Sequence, residues 1–150
     1  MFTKNHFTQE LENNENLKKG NFEDALRETF FKIDTLLMSK KGKKELEILK
    51  EQQTKLNNSS ENSNMNRVGC TALVVLVTKT DIYIANAGDC RAMSCSFSGQ
   101  IIHQTKDHKP TDPKEEARIM KAGGYINYGR VNGCLNLSRA LGDLEFKENQ

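Results

Sequence analysis

The hydrophobic period of this chain changes once, and that change limits the folds open to it. From Phe22 to Leu37 the apolar residues Phe22, Leu26, Phe30, Ile33 and Leu37 recur at spacings of four, four, three and four, which is one buried face of a helix. Asn21 stands in the capping position, and Glu23 and Asp24 bring acids to the first turn. Lys40, Lys41, Lys43 and Lys44 around Gly42 suit a positive helix end and a stop, after which a weaker helical pattern runs through Leu46, Leu49 and Leu56. The segment from Asn57 to Asn64 offers nothing apolar to bury, so 57–66 reads as a disordered loop, an insertion of tolerated length. After Gly69 the pattern belongs to strands. The expected organisation is helical over 1–56, a loop over 57–66, and a β-rich core with one helix over 67–147.

Cys70 to Val77 is a continuous apolar run of the kind a buried strand shows, Asp81 marks a turn, and Ile82 to Ala85 returns. Arg91 to Ser96 and Gln100 to Gln104 flank Phe97-Ser98-Gly99, a second hairpin with glycine near its tip. In Thr111-Asp112-Pro113-Lys114-Glu115, Asp112 can cap, Pro113 fits the first helical position and Glu115 completes a capping box. That helix would turn Ala117, Ile119 and Met120 inward. It ends at Ala122-Gly123-Gly124, whose glycines accept left-handed backbone. Tyr125 to Tyr128 and Cys134 to Leu137 bracket Val131-Asn132-Gly133, and Asn-Gly is a strong hairpin signal.

With 22 basic and 20 acidic residues among 150, the net charge is +2 and no basic patch stands out, so nothing marks nucleic acid or an anionic membrane as the principal partner. The longest apolar run, within Thr71 to Val77, is too short for a membrane span, and the first residues lack the apolar core of a signal peptide. A cytoplasmic or nuclear location is the resulting expectation. Cys70, Cys90, Cys95 and Cys134 lack the paired short spacing of zinc sites and are expected to be buried thiols; His6, His103 and His108 are too scattered for a Cys/His cluster.

The run Ile82 to Met93 holds the strongest candidate for a metal ligand. Small residues Ala85, Ala87 and Gly88 allow close packing, and Asp89 falls where a strand end can project a hard oxygen donor. A turn aspartate that caps nearby backbone groups has the same sequence appearance, and both readings stay open. His108 beside Asp107 reads as a structural turn, Asp143 with Arg139 as an ion pair or a cap at a sharp turn, and Ser138 has no neighbouring base.

Seven motifs in order make a more specific pattern: Gly69-Cys70-Thr71-Ala72, Ala85-Asn86-Ala87-Gly88-Asp89-Cys90-Arg91-Ala92, Asp107-His108-Lys109-Pro110, Glu116-Ala117-Arg118-Ile119, Ala122-Gly123-Gly124, Arg130-Val131-Asn132-Gly133 and Leu137-Ser138-Arg139-Ala140-Leu141-Gly142-Asp143. This succession resembles the metal-dependent, type 2C protein serine/threonine phosphatases, most strongly over 69–147, and the stripe from Phe22 to Leu37 looks like that family's first long helix. The resemblance covers about the middle half of a typical catalytic domain. It implies an α+β fold, part of a four-layer αββα sandwich of antiparallel sheets flanked by helices. It also implies Mg²⁺ or Mn²⁺ as cofactor and phosphoprotein substrates, with phosphoserine and phosphothreonine hydrolysed by a metal-bridging water. Two close cations lower the pKa of such a water and neutralise the phosphoryl oxygens.

One ligand position carries over by resemblance: Asp89 matches an aspartate associated with a third, more weakly held cation. Cys70 and Cys90 stand where the family usually places serine, an exchange that keeps size and loses hydrogen-bonding strength. The family's other carboxylates have no counterpart, since the chain contains no Asp-Gly dipeptide and Phe2 to Phe7 look like the segment just downstream of the family's Asp-Gly-His-Gly-Gly motif. The expectation is therefore a partial domain lacking both ends and inactive alone, whether through a partial gene model, a gene fragment or a short variant. The alternative is a non-catalytic interaction or regulatory module that keeps part of the scaffold and recruits a partner through exposed sheet edges.

Overall fold

Four helices account for the first 57 residues of the computed structural model, which describes residues 1–57 and 65–147: α1 (Phe2–Glu12), α2 (Glu15–Lys18), α3 (Phe22–Met38) and α4 (Lys40–Asn57). The strands are β1 (Gly69–Cys70), β2 (Ala72–Val77), β3 (Ile82–Ala87), β4 (Met93–Cys95), β5 (Ile101–Gln104), β6 (Ile126–Asn127), β7 (Arg130–Val131) and β8 (Leu141–Gly142), with α5 (Pro113–Lys121) between β5 and β6. Three-residue 3-10 turns lie at Met65–Arg67 and Leu144–Phe146. The class is α+β with antiparallel hairpins, as the resemblance implies. The chain divides into two compact units, Met1–Gly69 with Leu141–Lys147, and Cys70–Ala140. The loop expected over 57–66 falls largely outside the described residues; Asn57 ends α4 and Met65–Arg67 is the first of the 3-10 turns.

The first unit is organised by α3. Its face buries Ala25, Leu26, Thr29, Ile33 and Leu37, and Thr29 returns its hydroxyl to the Ala25 carbonyl at 2.7 Å. Phe7 of α1 meets Phe30 edge-on, with ring centroids 5.3 Å apart. Asn14 caps α2 by accepting from the Asn16 amide, and its own amide donates to Glu28. Asn21, expected as a side-chain cap, makes no such bond; its carbonyl accepts from Ala25 and the acids Glu23 and Asp24 carry the helix start.

Asp34, on the same helix, fastens the late segment of the unit. One carboxylate oxygen accepts from the Gly142 amide at 2.8 Å and the other from Lys147 Nζ at 2.5 Å. The Asp143 amide donates to the Val68 carbonyl at 3.0 Å, and Arg67 holds Glu145 through two bonds. Asp143 is buried in left-handed backbone (φ 48°). Burial pushes its carboxyl above the ordinary range, Lys147 opposing and Asp34 adding to the rise.

The lysine cluster does not end a helix. α3 stops at Ser39, whose backbone is extended, and Lys40 begins α4. Ser39 serves both helices: its hydroxyl donates to the Leu36 carbonyl at 2.6 Å and accepts from the Gly42 amide at 3.0 Å. Gly42 is thus inside α4, where a side chain would collide with the end of α3, because an added Cβ would lie 1.9 Å from the Leu36 oxygen.

The second unit is built from ribbons. β2 and β3 pair from Ala72↔Ala87 to Val77↔Ile82 around a turn in which Thr78 and Asp81 bond one another, as the sequence indicates. β4 and β5 form the second expected hairpin with a bulge at Ser94/Cys95. The run from Cys70 to Val77 is broken at Thr71 and is not buried, because among the described residues β2 pairs with β3 alone, and Val77 is 66% exposed. Cys70, Cys95 and Cys134, expected to be buried, are exposed, and Cys90 is half-buried.

α5 buries Glu115 and Ile119, while Ala117 and Met120 face outward, so the inward face is turned from the expected one. Asn132-Gly133 does turn, both residues at positive φ, but it closes a bridge between Val131 and Leu135. The hairpin proper joins β6 to β7 through Tyr128-Gly129, a left-handed pair that the tyrosine disguises.

Gly42→Ala tests the helix corner. In an open helix this change would stabilise by about 1 kcal/mol. Here it is expected to destabilise by about 1–3 kcal/mol through overlap with Leu36. A urea unfolding midpoint that stays level or rises would refute the corner.

Candidate functional site

Asp89 sits in the turn that follows β3, within the second unit, and the turn is fastened from three sides. Asn86 directs its side-chain amide to the carbonyls of Cys90 at 2.9 Å and of Gly88 and Lys106 at 3.3 Å. The His108 amide donates to the Gly88 carbonyl at 2.9 Å, and His108 Nδ1 lies 3.1 Å from that oxygen and 3.3 Å from the Gly88 nitrogen. Cys90 Sγ lies 3.0 Å from the Thr71 hydroxyl. Gly88 has φ 110°, and an added Cβ would fall 2.4 Å from Thr71 Cγ2, so both conformation and space require glycine.

The Asp89 carboxylate is taken by Lys109, whose Nζ is 2.5 Å from Oδ2. That hydrogen bond holds the Asp89 carboxyl below its ordinary range, against a smaller opposing effect of burial. The neighbouring acids are paired as well. Arg91 donates from Nε and Nη2 to one oxygen of Asp107, at 3.1 and 3.0 Å. Lys106 pairs with Asp112, whose other oxygen caps α5 at the Lys114 amide. Among the described residues no group of three or more His, Cys, Asp or Glu side chains converges as a metal cage. A hard divalent cation takes about six oxygen ligands. One carboxylate already engaged by an ammonium does not meet that need, and the residues present do not fit a two-cation centre.

His108 is a structural residue here, as its sequence context indicates: ring and amide both serve the Gly88 turn. The Ser138 amide donates to the His108 carbonyl at 3.3 Å.

The charge pair that sequence reading missed is Glu115–Arg139. Glu115 does not close a capping box. Its carboxylate, on a residue 5% exposed, receives Arg139 Nε at 2.9 Å and Nη2 at 2.7 Å, with Arg118 Nη2 at 3.0 Å, and Arg118 also reaches the Ser138 carbonyl. Arg139 is therefore the partner of Glu115, in place of the expected Asp143. Burial is the largest single influence on Glu115 and disfavours its charge. Arg139, then the Ser138 side chain and Arg118, together outweigh it and hold the carboxyl at about 2, against an ordinary 4.5. A separation of 24 residues hides this pair from local patterns.

The family model described as "Protein phosphatase 2C" matches residues 1–150. The chain belongs to the protein phosphatase 2C family. It is 47% identical over 148 residues to "Probable protein phosphatase 2C 2" of Paramecium tetraurelia, a match covering 99% of this chain and 46% of that relative. It is also 47% identical to "Protein phosphatase 2C 1" of the same organism, with the same coverage. The chain thus spans a little under half the length of these curated relatives. A solved phosphatase from Toxoplasma gondii is 29% identical, with a TM-score of 0.41, over 57% of this chain and 38% of that one.

In this phosphatase 2C chain the bidentate pair ties the first turn of α5 to the segment before β8, and its pH dependence has a definite sign. A carboxyl lowered on folding adds stability that is complete above the unfolded value, near 4.5, and lost as pH falls towards the folded value of about 2. Glu115→Gln is expected to cost about 1–3 kcal/mol at neutral pH, less than a fully buried pair because water reaches the arginine. The variant should also lose the corresponding acid slope between those two values. Denaturant unfolding of both proteins across that range checks this, and parallel acid limbs would contradict it.

Proposed function

We propose that this chain is part of a protein serine/threonine phosphatase, acting on phosphoserine and phosphothreonine of phosphoprotein substrates with Mg²⁺ or Mn²⁺ as metal, in the cytoplasm or nucleus. Membership of the phosphatase 2C family along the whole of residues 1–150 carries this reading. The family is metal-dependent. Asp89 is the candidate ligand of this chain, because the turn that presents it is built rigidly and leaves the carboxylate partly exposed. No helix among the described residues is long and apolar enough to cross a membrane.

The 150-residue chain by itself is inactive on this reading, since among the described residues no group of three or more His, Cys, Asp or Glu side chains gathers around Asp89. The organisation proposed for it is a helical part over 1–56 and a β-rich core with one helix over 67–147, all within one partial phosphatase domain.

A second reading is favoured by one observation. The ribbons expose large apolar side chains, among them Val77, Ile82, Phe97 and Ile102, which would suit a non-catalytic module that binds a partner along its strands. Size-exclusion chromatography separates the two, because a monomer that unfolds cooperatively speaks against a sticky, incomplete sandwich.

Activity is tested with p-nitrophenyl phosphate and Mn²⁺ on the purified chain. No turnover above background is expected; turnover that disappears in Asp89→Ala would overturn the proposed inactivity.

A further inference from the structure

The stretch Leu141–Lys147 returns the chain to the first unit, where backbone groups do much of the fastening. The Gly142 amide donates to Asp34 of α3 at 2.8 Å, and the Asp143 amide donates to the Val68 carbonyl at 3.0 Å. Two glycines make the crossing possible. A Cβ added at Gly142 would meet the Val68 carbonyl, and one added at Gly69 would fall on the Asp143 carboxyl. That carboxyl therefore rests against the backbone of β1, on a residue only 6% exposed whose own backbone is left-handed. Among the described residues no hydrogen-bond donor reaches it.

A buried carboxylate without donors is costly, whereas the neutral acid carries no charge and brings an O–H of its own. Two charged groups act on it from the elements packed around it. Lys147, beyond the last 3-10 turn, attracts the ionised form but is itself engaged by Asp34, and Asp34, from α3, repels that form. Arg67 and Glu145, on the two 3-10 turns, are bonded to each other. We propose that Asp143 is a proton-operated latch of the 141–147 segment, closed while its carboxyl is neutral and loosened when it ionises. The latch goes beyond the phosphatase reading and does not rest on it. Its sign is definite: a carboxyl raised on folding adds stability that is complete below its ordinary value, 3.8, and is lost as pH rises through the higher folded value. Acidification that reached Asp34 would act the other way, by weakening its bonds to Gly142 and Lys147, so the part due to Asp143 is read as a difference between proteins.

The test is hydrogen exchange of the Gly142 and Asp143 amides in the intact chain, followed by NMR from acid to neutral pH and corrected for the intrinsic exchange rate. Direct titration of the Asp143 carboxyl carbon accompanies it. In the unsubstituted chain that carbon should titrate above 3.8, and protection of both amides should fall several-fold as it ionises. Asp143→Asn keeps the shape, accepts left-handed backbone and removes the charge. It should abolish the fall and leave the two amides several-fold better protected at neutral pH. Lys147→Met removes the attracting charge and should move the Asp143 titration further upward. A carboxyl that titrates at or below 3.8 overturns the latch. So does protection in the unsubstituted chain that fails to follow the carboxyl titration, an outcome readable even where a variant does not fold. An Asp143→Asn chain whose protection falls with pH just as the unsubstituted chain's does overturns it as well.

Discussion

The backbone of Gly88 is the point on which the second unit turns. Its carbonyl collects the amide of His108 and a side-chain bond from Asn86, and its missing side chain leaves room for Thr71. Each of these partners comes from a different stretch of sequence, so the turn ends one ribbon and anchors the loop leading to α5. A neutral hydrogen bond contributes only about 1 kcal/mol net. The leverage of this turn lies in convergence: several such bonds fix one short segment, and an aspartate in that segment inherits a set position.

Charge follows the same plan. Lys109 with Asp89, Arg91 with Asp107 and Lys106 with Asp112 are exposed or half-exposed pairs that water screens, so each adds little. Glu115 with Arg139 is different in kind, since its carboxylate is buried and receives two parallel bonds from one guanidinium. Removing Arg139 would leave the Glu115 carboxylate buried with Arg118 as its remaining arginine, whereas removing a surface lysine merely lets its partner hydrate. The second unit is therefore held rigidly near α5 and electrostatically adjustable around Asp89.

Local chemistry was legible and distant chemistry was not. The stripe from Phe22 to Leu37, the hairpin around Thr78 to Asp81, the cap at Asp112 and the glycine end of α5 each depend on residues a few positions apart, and each appears in the structure where the sequence placed it. The Lys40–Lys44 segment misled because a lysine run suits the end of a helix, while the decisive residue was Ser39, which both stops α3 and opens α4. Glu115 satisfied the spacing of a capping box, but a guanidinium outcompetes a backbone amide for a buried carboxylate. Tyr128 gave no turn signal because aromatic residues rarely adopt left-handed backbone. For the site, the motif order pointed to Asp89 and its turn, whereas the ammonium that engages it could be seen only once the chain was folded.

The exposed apolar strands and the paired Asp89 share a physical origin. A two-stranded ribbon offers neither a second layer to cover Val77 and Ile82 nor neighbouring strand ends from which further carboxylates could reach the turn. Covering an apolar face and assembling a cation cage both require elements packed alongside β2 and β3. In this chain the apolar side chains remain in water at a cost proportional to their area, and the Asp89 carboxylate is held by the ammonium of Lys109.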